Sequence, residues 1–202
     1  RIFDSVYVDE SGFNLDLNLK PVNILYVADD PSVNTYEKYQ SLLNSTGIEY
    51  AYTDNDVNPV SPEILTSFSK PLTLIWASGG SNSSGLSETE KELIKEHLRN
   101  GDYLILAGRN IVEYSVGDSL IEDYIGVTFN GNHLSPFSVR GFAGHPVGNG
   151  ISFSSTIPSK DVFALTNSTI ANVKKAFHYG AALSDAGKIA AITFEGKQLN
   201  YK

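Results

Sequence analysis

The sequence contains no cysteine and no methionine among its 202 residues. Without cysteine there is no thiol nucleophile, no disulfide, no zinc–thiolate site and no iron–sulfur cluster. The chain begins at Arg1 and lacks methionine, which we interpret as a fragment or processed piece of a longer protein; the alternative is that modified methionines were left out of the sequence. Long apolar runs are also missing: the longest are about seven residues, too short to span a bilayer.

Positive charge is scarce, because 15 Lys and Arg residues face 23 Asp and Glu residues, for a net charge of −8. This balance argues against duplex nucleic acid, whose binding needs a basic face, and disfavours an anionic membrane surface. The sequence also lacks a Gly-x-Gly-x-x-Gly motif after its first apolar run and a phosphate-binding Walker loop. We therefore predict no cofactor, no nucleic-acid partner and no membrane insertion.

Four short apolar runs alternate with segments of helical periodicity, and the runs are 22–28, 48–52, 72–77 and 103–107. This alternation is typical of βαβ units with right-handed crossovers and helices on both faces. The pattern predicts an α/β fold with a three-layer, doubly wound, mainly parallel sheet.

Helix boundaries carry clear signals. Gly47 ends the first helical pattern, Ser61 precedes a proline at the start of a short helix, and Ser87 and Glu90 form a capping box. The helix after Ser87 is amphipathic and rich in charge, so we expect His97 within it to be exposed.

The chain divides by composition. Residues 1–20 are expected to form a strand, a hairpin or the tail of a preceding domain, and residues 21–202 a single domain. Within that domain, 21–130 is the predicted α/β core, and 131–202 is a β-rich extension without a strong helix. We expect its antiparallel strands to extend the sheet or to pack against its edge.

Polar residues follow three of the predicted parallel strands. Ligands in such sheets bind beyond the carboxyl ends of the strands, so these residues are the candidate ligand-binding set. They are Asp29, Asp30, Ser78, Gly79, Arg109 and Asn110.

Each candidate also has a structural interpretation. Adjacent carboxylates at Asp29 and Asp30 resemble the magnesium pair of response-regulator receivers, but no acceptor aspartate ends the third strand, and one Asp can simply cap the next helix. Ser78 has only the second glycine of a Gly-x-Ser-x-Gly nucleophile turn. Arg109 can bind an anion or form an ion pair.

The four histidines, His97, His133, His145 and His178, form no metal-binding pattern, and no metal site is predicted. Residues 144–150 read as a fixed turn with glycines at positive φ. Asn-x-Ser/Thr sequons at Asn44, Asn82 and Asn167 hint at an extracellular protein.

Several segments together resemble the class I glutamine amidotransferase-like, flavodoxin-like superfamily. The segments are 36–39, 74–80 with 86–90, 101–111, and 144–151 followed by 190–194. Their order is similar to accessory domains of large secreted bacterial and archaeal proteins, often downstream of a subtilisin-like or metallopeptidase domain. In the superfamily, the nucleophilic cysteine sits on a sharp turn near the position of Gly108-Arg109-Asn110, and this chain has no cysteine to place there.

The resemblance implies a non-catalytic accessory or interaction domain of a secreted or cell-surface protein, without catalytic residues, whose partners are the neighbouring domains of the parent protein. An alternative is a small-molecule-binding or hydrolytic site at the strand ends that uses Ser78. A purely structural spacer between domains is a third hypothesis.

Overall fold

The computed structural model describes residues 22–29, 35–78, 85–133, 137–155, 160–180 and 187–196. The predicted strand or hairpin within residues 1–20, and the candidate residues Asp30 and Gly79, lie outside these ranges. The chain divides into two compact units, of which the first comprises Arg1–Gly79 and Gly101–Ala107 and the second Gly80–Asn100 and Gly108–Lys202.

The first unit contains a four-stranded parallel sheet in the order β2-β1-β3-β4. Its elements are β1 (Ile24–Asp29), α1 (Thr35–Thr46), β2 (Ala51–Asp54), α2 (Pro62–Thr66), β3 (Thr73–Ser78) and β4 (Tyr103–Ala107). The alternation of short apolar strands with helices therefore predicted the parallel sheet correctly.

Alternate residues of β1 and β3 form the core on one face of this sheet. Tyr26, Ala28, Ile75 and Ala77 pack with Leu43 of α1, because residues two apart on a strand share a face. Gly47 ends α1 with a φ of 70°, as predicted, and the Ser61 hydroxyl accepts from the Ile64 N–H at the start of α2.

The edge of the first unit is fixed by a buried carboxylate. Asp102 Oδ1 accepts from the Leu72 N–H at 2.9 Å, and its other oxygen pairs with Lys70. The Tyr103 N–H donates to the Leu72 carbonyl. These bonds align the beginning of β4 with the beginning of β3.

The second unit contains α3 (Glu88–Arg99) and a six-stranded antiparallel sheet in the order β5-β8-β10-β9-β6-β7. The strands are β5 (Val127–His133), β6 (Phe137–Gly141), β7 (Ser152–Ser155), β8 (Lys160–Leu165), β9 (Ala171–Tyr179) and β10 (Ile189–Gly196). A 3-10 turn at Glu113–Ser115 and a π-helical turn at Leu120–Ile125 precede β5.

Two expectations about the fold need correction. The antiparallel strands form a sheet of their own, so they do not extend the parallel sheet, which is parallel in all four strands. The other expected arrangement, packing against the edge of that sheet, stays a prediction. His97 is 2% exposed rather than solvated. The three-layer arrangement stays a prediction.

Polar bonds hold α3 to the segment that follows β4 in sequence. The predicted capping box is confirmed, since Glu90 N–H donates to Ser87 and Ser87 N–H donates to the Glu90 carboxylate. Lys91 Nζ lies 2.8 Å from Glu88 Oε1 and 3.3 Å from Asp118 Oδ2. Lys95 Nζ lies 2.6 Å from Glu92 Oε1 and 3.0 Å from Ser119 Oγ.

Candidate functional site

In the first unit, two of the candidate residues are neighbours at the carboxyl ends of β1 and β3. Asp29 and Ser78 are register partners, so their side chains lie on the same face of adjacent strands. Ser78 is 6% exposed. The convergence predicted for strand ends therefore holds for this pair.

Both carboxylate oxygens of Asp29 are occupied by protein donors. Trp76 Nε1 donates to Asp29 Oδ2 at 3.0 Å, and Asn55 Nδ2 donates to Asp29 Oδ1 at 3.3 Å. Trp76 is fully buried. Asp29 thus holds the indole and the end of β2 in place, which is a structural role within the sheet edge.

Asn55 is a site residue that the sequence reading missed. Its amide nitrogen donates to Asp29, its Oδ1 accepts from the Val60 N–H at 3.0 Å, and its backbone N–H donates to the Ala28 carbonyl at 2.9 Å. The available signal was its position, three residues after the apolar run 48–52, whose carboxyl end reaches the same edge of the sheet.

Ser78 lacks the partner that a serine nucleophile needs within its unit. Activation of a hydroxyl requires a base at hydrogen-bonding distance, most often histidine. The first unit contains no histidine in its sequence. Inside this unit, Ser78 is a buried strand residue rather than half of a serine–histidine pair.

In the second unit, the candidate residues Arg109 and Asn110 begin the loop that follows β4 in sequence. Asn110 has a φ of 61° and is 5% exposed, and its carbonyl accepts from the Tyr114 N–H at 3.0 Å. A left-handed conformation is uncommon for a residue other than glycine, and asparagine tolerates it better than most. The chain therefore makes a sharp turn at Asn110.

Most of the unpartnered buried polar atoms belong to the loop that contains this turn or to strands bonded to that loop. Of the seven such side-chain atoms in the described residues, five belong to the second unit's loop 109–115 or to the strands bonded to it: Arg109 Nε, Asn110 Oδ1, Ser115 Oγ, Asn132 Oδ1 and Asp161 Oδ1. Arg109 forms no ion pair within the described part of the chain. The ion-pair interpretation of Arg109 is thus not supported by the described residues.

Asp161 of β8 anchors the loop. Its Oδ2 accepts from the Val112 N–H at 2.9 Å and from the Glu113 N–H at 3.3 Å. Burial raises the pKa of this carboxyl; the two N–H donors act against that rise, and the charge of Glu113 adds to it. Sequence reading missed Asp161, because only the strand pairing brings it to a loop nearly fifty residues earlier.

Asn132 of β5 completes the contacts around Asp161. Asn132 and Asp161 are register partners, and Asn132 Nδ2 donates to Glu113 Oε2 at 3.2 Å. The register shifts between Phe129 and Asn132, and Gly131 in that interval has a φ of 94°. Such a bulge re-aims the side chain that follows it, and glycine inside an apolar strand pattern was the sequence signal for it.

The tyrosine beside Asp161 is buried as well. The Tyr179 hydroxyl donates to the Asp161 carbonyl at 3.0 Å, and the His133 ring stacks on Tyr179 with centroids 5.2 Å apart. Burial, and secondarily the charge of Asp161, raises the pKa of Tyr179 to about 12. Tyr179 is therefore a neutral hydrogen-bond donor at physiological pH.

His145 fixes its own turn. His145 Nδ1 accepts from the Val147 and Gly148 N–H groups, each at 3.2 Å, which leaves Nε2–H to donate to Thr193 Oγ1 at 2.9 Å. Both ring nitrogens are therefore used internally. Gly144 and Gly150 have φ values of 76°, so the predicted glycine-dependent turn is confirmed.

The described ranges contain neither a cluster of metal ligands nor a membrane-spanning helix. No three His, Cys, Asp or Glu side chains gather there in a way that would hold a metal ion. No described helix is long and apolar enough to cross a membrane.

Comparison with known proteins adds information on the fold. Two solved structures are similar to this chain, and both are glutamine amidotransferases. The one from Thermotoga maritima has 13% identity and a TM-score of 0.50, and the match covers 79% of this chain and 68% of that one. The one from Methylobacillus flagellatus has 14% identity and a TM-score of 0.48, and the match covers 79% of this chain and 61% of that one. No family model and no curated protein matches. At this identity the likeness shows an amidotransferase-like fold and nothing about activity.

Proposed function

We propose that this chain is a non-catalytic accessory or interaction domain of amidotransferase-like fold, part of a larger secreted, peptidase-containing protein. It recognises or supports the neighbouring domains of that protein. The observation that carries the proposal is Asn110: a left-handed, buried amide stands at the sharp turn after β4, where the superfamily that this sequence resembles carries its cysteine.

The chemistry of an amide at this turn supports the proposal. A carboxamide is not a nucleophile, and the sequence has no cysteine to take its place. Asn110 adopts a left-handed backbone conformation, which suits a sharp turn after a strand. A sharp turn with an inert side chain fits a domain that binds without transforming its ligand.

The use of the other polar groups points in the same direction. Asp29 is held by Trp76 and Asn55, and the two ring nitrogens of His145 are bonded to its own turn and to Thr193 of β10. Groups engaged in this way brace the fold, and none of them is left to act as a general base. The hydrolytic alternative through Ser78 lacks a histidine base within its unit.

An assay of the 202-residue chain tests catalysis directly. Release of glutamate from glutamine and of nitrophenol from short nitrophenyl esters is measured for the wild type, Asn110→Ala and Ser78→Ala. We expect all three rates to equal the buffer rate. A rate that disappears in Ser78→Ala supports the hydrolytic alternative, and a rate that disappears in Asn110→Ala places catalysis at the turn; either result refutes the proposal.

The accessory role is tested in the parent protein. Thermal melts of the parent with and without this segment are compared, together with its peptidase activity. We expect deletion to lower the melting temperature of the remaining domains or their activity. If both stay unchanged, the segment neither supports nor contacts them, and the accessory role is wrong.

A further inference from the structure

Two unpartnered buried oxygens, Asp161 Oδ1 and Asn132 Oδ1, belong to residues that are paired across β8 and β5. Two more, Asn110 Oδ1 and Ser115 Oγ, belong to the loop whose backbone bonds to Asp161. Buried polar atoms in native proteins are bonded in the great majority, so a group of acceptors without donors needs a physical explanation. Acceptors that share a neighbourhood call for a species that offers only positive charge or hydrogen-bond donors.

A closed ring of contacts fixes two of these oxygens. The Val112 and Glu113 N–H groups hold Asp161 Oδ2, and Asn132 Nδ2 holds Glu113 Oε2. Strand pairing then returns from Asn132 to Asp161. Asp161 takes part in the ring through Oδ2 and Asn132 through Nδ2, and the Oδ1 atom of each residue has no hydrogen-bond partner.

The ring contains two carboxylates and no positively charged side chain. The carboxylates of Asp161 and Glu113 are close enough for the charge of Glu113 to raise the pKa of Asp161. Neither carboxylate forms an ion pair with a lysine, arginine or histidine of the described residues. Asp161 is 7% exposed, so water screens this repulsion poorly.

We propose that Asp161 Oδ1, Asn132 Oδ1 and the Glu113 carboxylate bind a hard divalent cation of the Ca²⁺ class. Ca²⁺ takes carboxylate and amide oxygens in irregular geometry, whereas Mg²⁺ needs a near-ideal octahedron and keeps most of its waters. The set contains no nitrogen or sulfur, which disfavours zinc. Asn110 and Ser115 offer further oxygens on the same loop.

The cation gives the loop a second attachment. Without it, the loop is tied to β8 through the Val112 and Glu113 N–H groups and to β5 through the Asn132–Glu113 bond. A bound ion joins the same three elements through charged contacts and removes the repulsion between the carboxylates.

The test uses the 202-residue chain after dialysis against EDTA. Calcium binding is measured by calorimetry and by terbium luminescence sensitised by Tyr179, whose hydroxyl lies 3.0 Å from the Asp161 carbonyl oxygen. With only two carboxylates, we expect a Kd of about 10⁻⁴ to 10⁻³ M. At about tenfold excess over Kd, the melting temperature rises by about 3–5 °C.

Variants locate the ion. We expect Asp161→Asn and Asn132→Ala each to weaken binding about tenfold or more, and the exposed control Asp123→Asn to bind as the wild type does. Asn132→Ala keeps the bonds from the Val112 and Glu113 N–H groups to Asp161 Oδ2, so it remains a usable test if Asp161→Asn fails to fold. Unchanged binding in both variants puts the ion elsewhere and overturns the proposal.

Absence of binding also overturns it. If the wild type takes up neither Ca²⁺ nor terbium up to about 10 mM, the oxygens are satisfied by water alone. A tighter response to Mg²⁺ than to Ca²⁺ contradicts the assigned class. None of these results bears on hydrolysis at Asn110 or Ser78, so this proposal and the proposed function fail separately.

Discussion

At the scale of single residues, Tyr26 places an unpartnered hydroxyl in the core of the parallel unit. Its side chain is fully buried, and its hydroxyl has no hydrogen-bond partner among the described residues. Tyr39, Tyr50 and Tyr52 surround it, with ring centroids 5.7, 6.5 and 5.6 Å away. Burial, followed by the neighbouring tyrosines, raises the pKa of Tyr26 above its ordinary value of 10.0.

We predict that Tyr26→Phe stabilises the protein at pH 7, by about 1 kcal/mol, because it removes a buried hydroxyl without a partner and keeps the ring. Above pH 10 the difference grows. The unfolded tyrosine loses its proton there while the folded one keeps it, so the wild type loses stability as pH rises and the variant lacks this loss. Urea unfolding followed by Trp76 fluorescence at pH 7 and 10.5 measures both effects.

Tyr50→Phe is the matched control. The Tyr50 hydroxyl donates to Asn44 Oδ1 at 3.3 Å, so its removal costs a hydrogen bond instead of relieving a buried group. Trp76 is the only tryptophan in the sequence and belongs to the same unit. Equal effects of the two substitutions would show that the Tyr26 hydroxyl finds a partner in solution.

At the scale of elements, local signals predicted the parallel unit well. The fourth apolar run coincides with β4 at Tyr103–Ala107, and the capping box begins α3. β2 starts at Ala51 rather than Ile48, because its register with β1 begins at the Leu25–Ala51 pair and Ile48 is 45% exposed. Apolar character sets the existence of a strand, and the neighbouring strand sets its ends.

The antiparallel sheet was predictable only in pieces. The sequence contains short β-like segments at 137–142, 151–153, 162–165, 173–179 and 189–194, and these match β6 to β10 within about two residues. Their separation from the parallel sheet could not be predicted, since it depends on pairings between distant segments, such as β5 with β8 and β6 with β9. Alternating side chains are compatible with either sheet edge.

The close backbone contact between Gly141, at the end of β6, and Gly148 allows a sharp prediction. A Cβ on Gly141 would lie 1.5 Å from the Gly148 carbonyl oxygen, and one on Gly148 would lie 2.2 Å from the Ala176 carbonyl oxygen. These are backbone atoms held by the Gly141 N–H to Ile151 carbonyl and Phe142 N–H to Ala176 carbonyl bonds. The end of β6 therefore has no room for a side chain.

We predict that Gly141→Ala destabilises the protein by about 3 kcal/mol or more, above the usual range for over-packing, because backbone rather than side chain must move. Soluble yield and the midpoint of thermal unfolding by circular dichroism measure the effect. Gly187→Ala is the control, since a Cβ there meets nothing within 4 Å and its φ is ordinary. Similar midpoints for the two variants would contradict the close crossing.

At the scale of the whole molecule, the candidate site shows what a sequence can and cannot specify. The rule for parallel strands placed Asp29 next to Ser78 correctly, because strand direction fixes which ends meet. It did not predict that both carboxylate oxygens of Asp29 accept hydrogen bonds from Trp76 and Asn55, because that depends on the direction of the side chains. Asp161 and Asn132 were missed because β-sheet pairing, rather than any local motif, brings them to the loop after β4.

The net charge of −8 supports the last prediction, which concerns partners. Binding to duplex DNA without sequence preference depends on basic side chains that displace counterions, and typical affinities are about 10⁻⁴ to 10⁻⁶ M. We predict that the chain does not shift a labelled 30-base-pair duplex in a gel at about 100 mM salt and protein concentrations up to about 10⁻⁴ M. A basic protein of similar size is the positive control. A shift that weakens as salt is added would reveal a local basic surface strong enough to overcome the overall charge, and would contradict a partner set limited to protein domains.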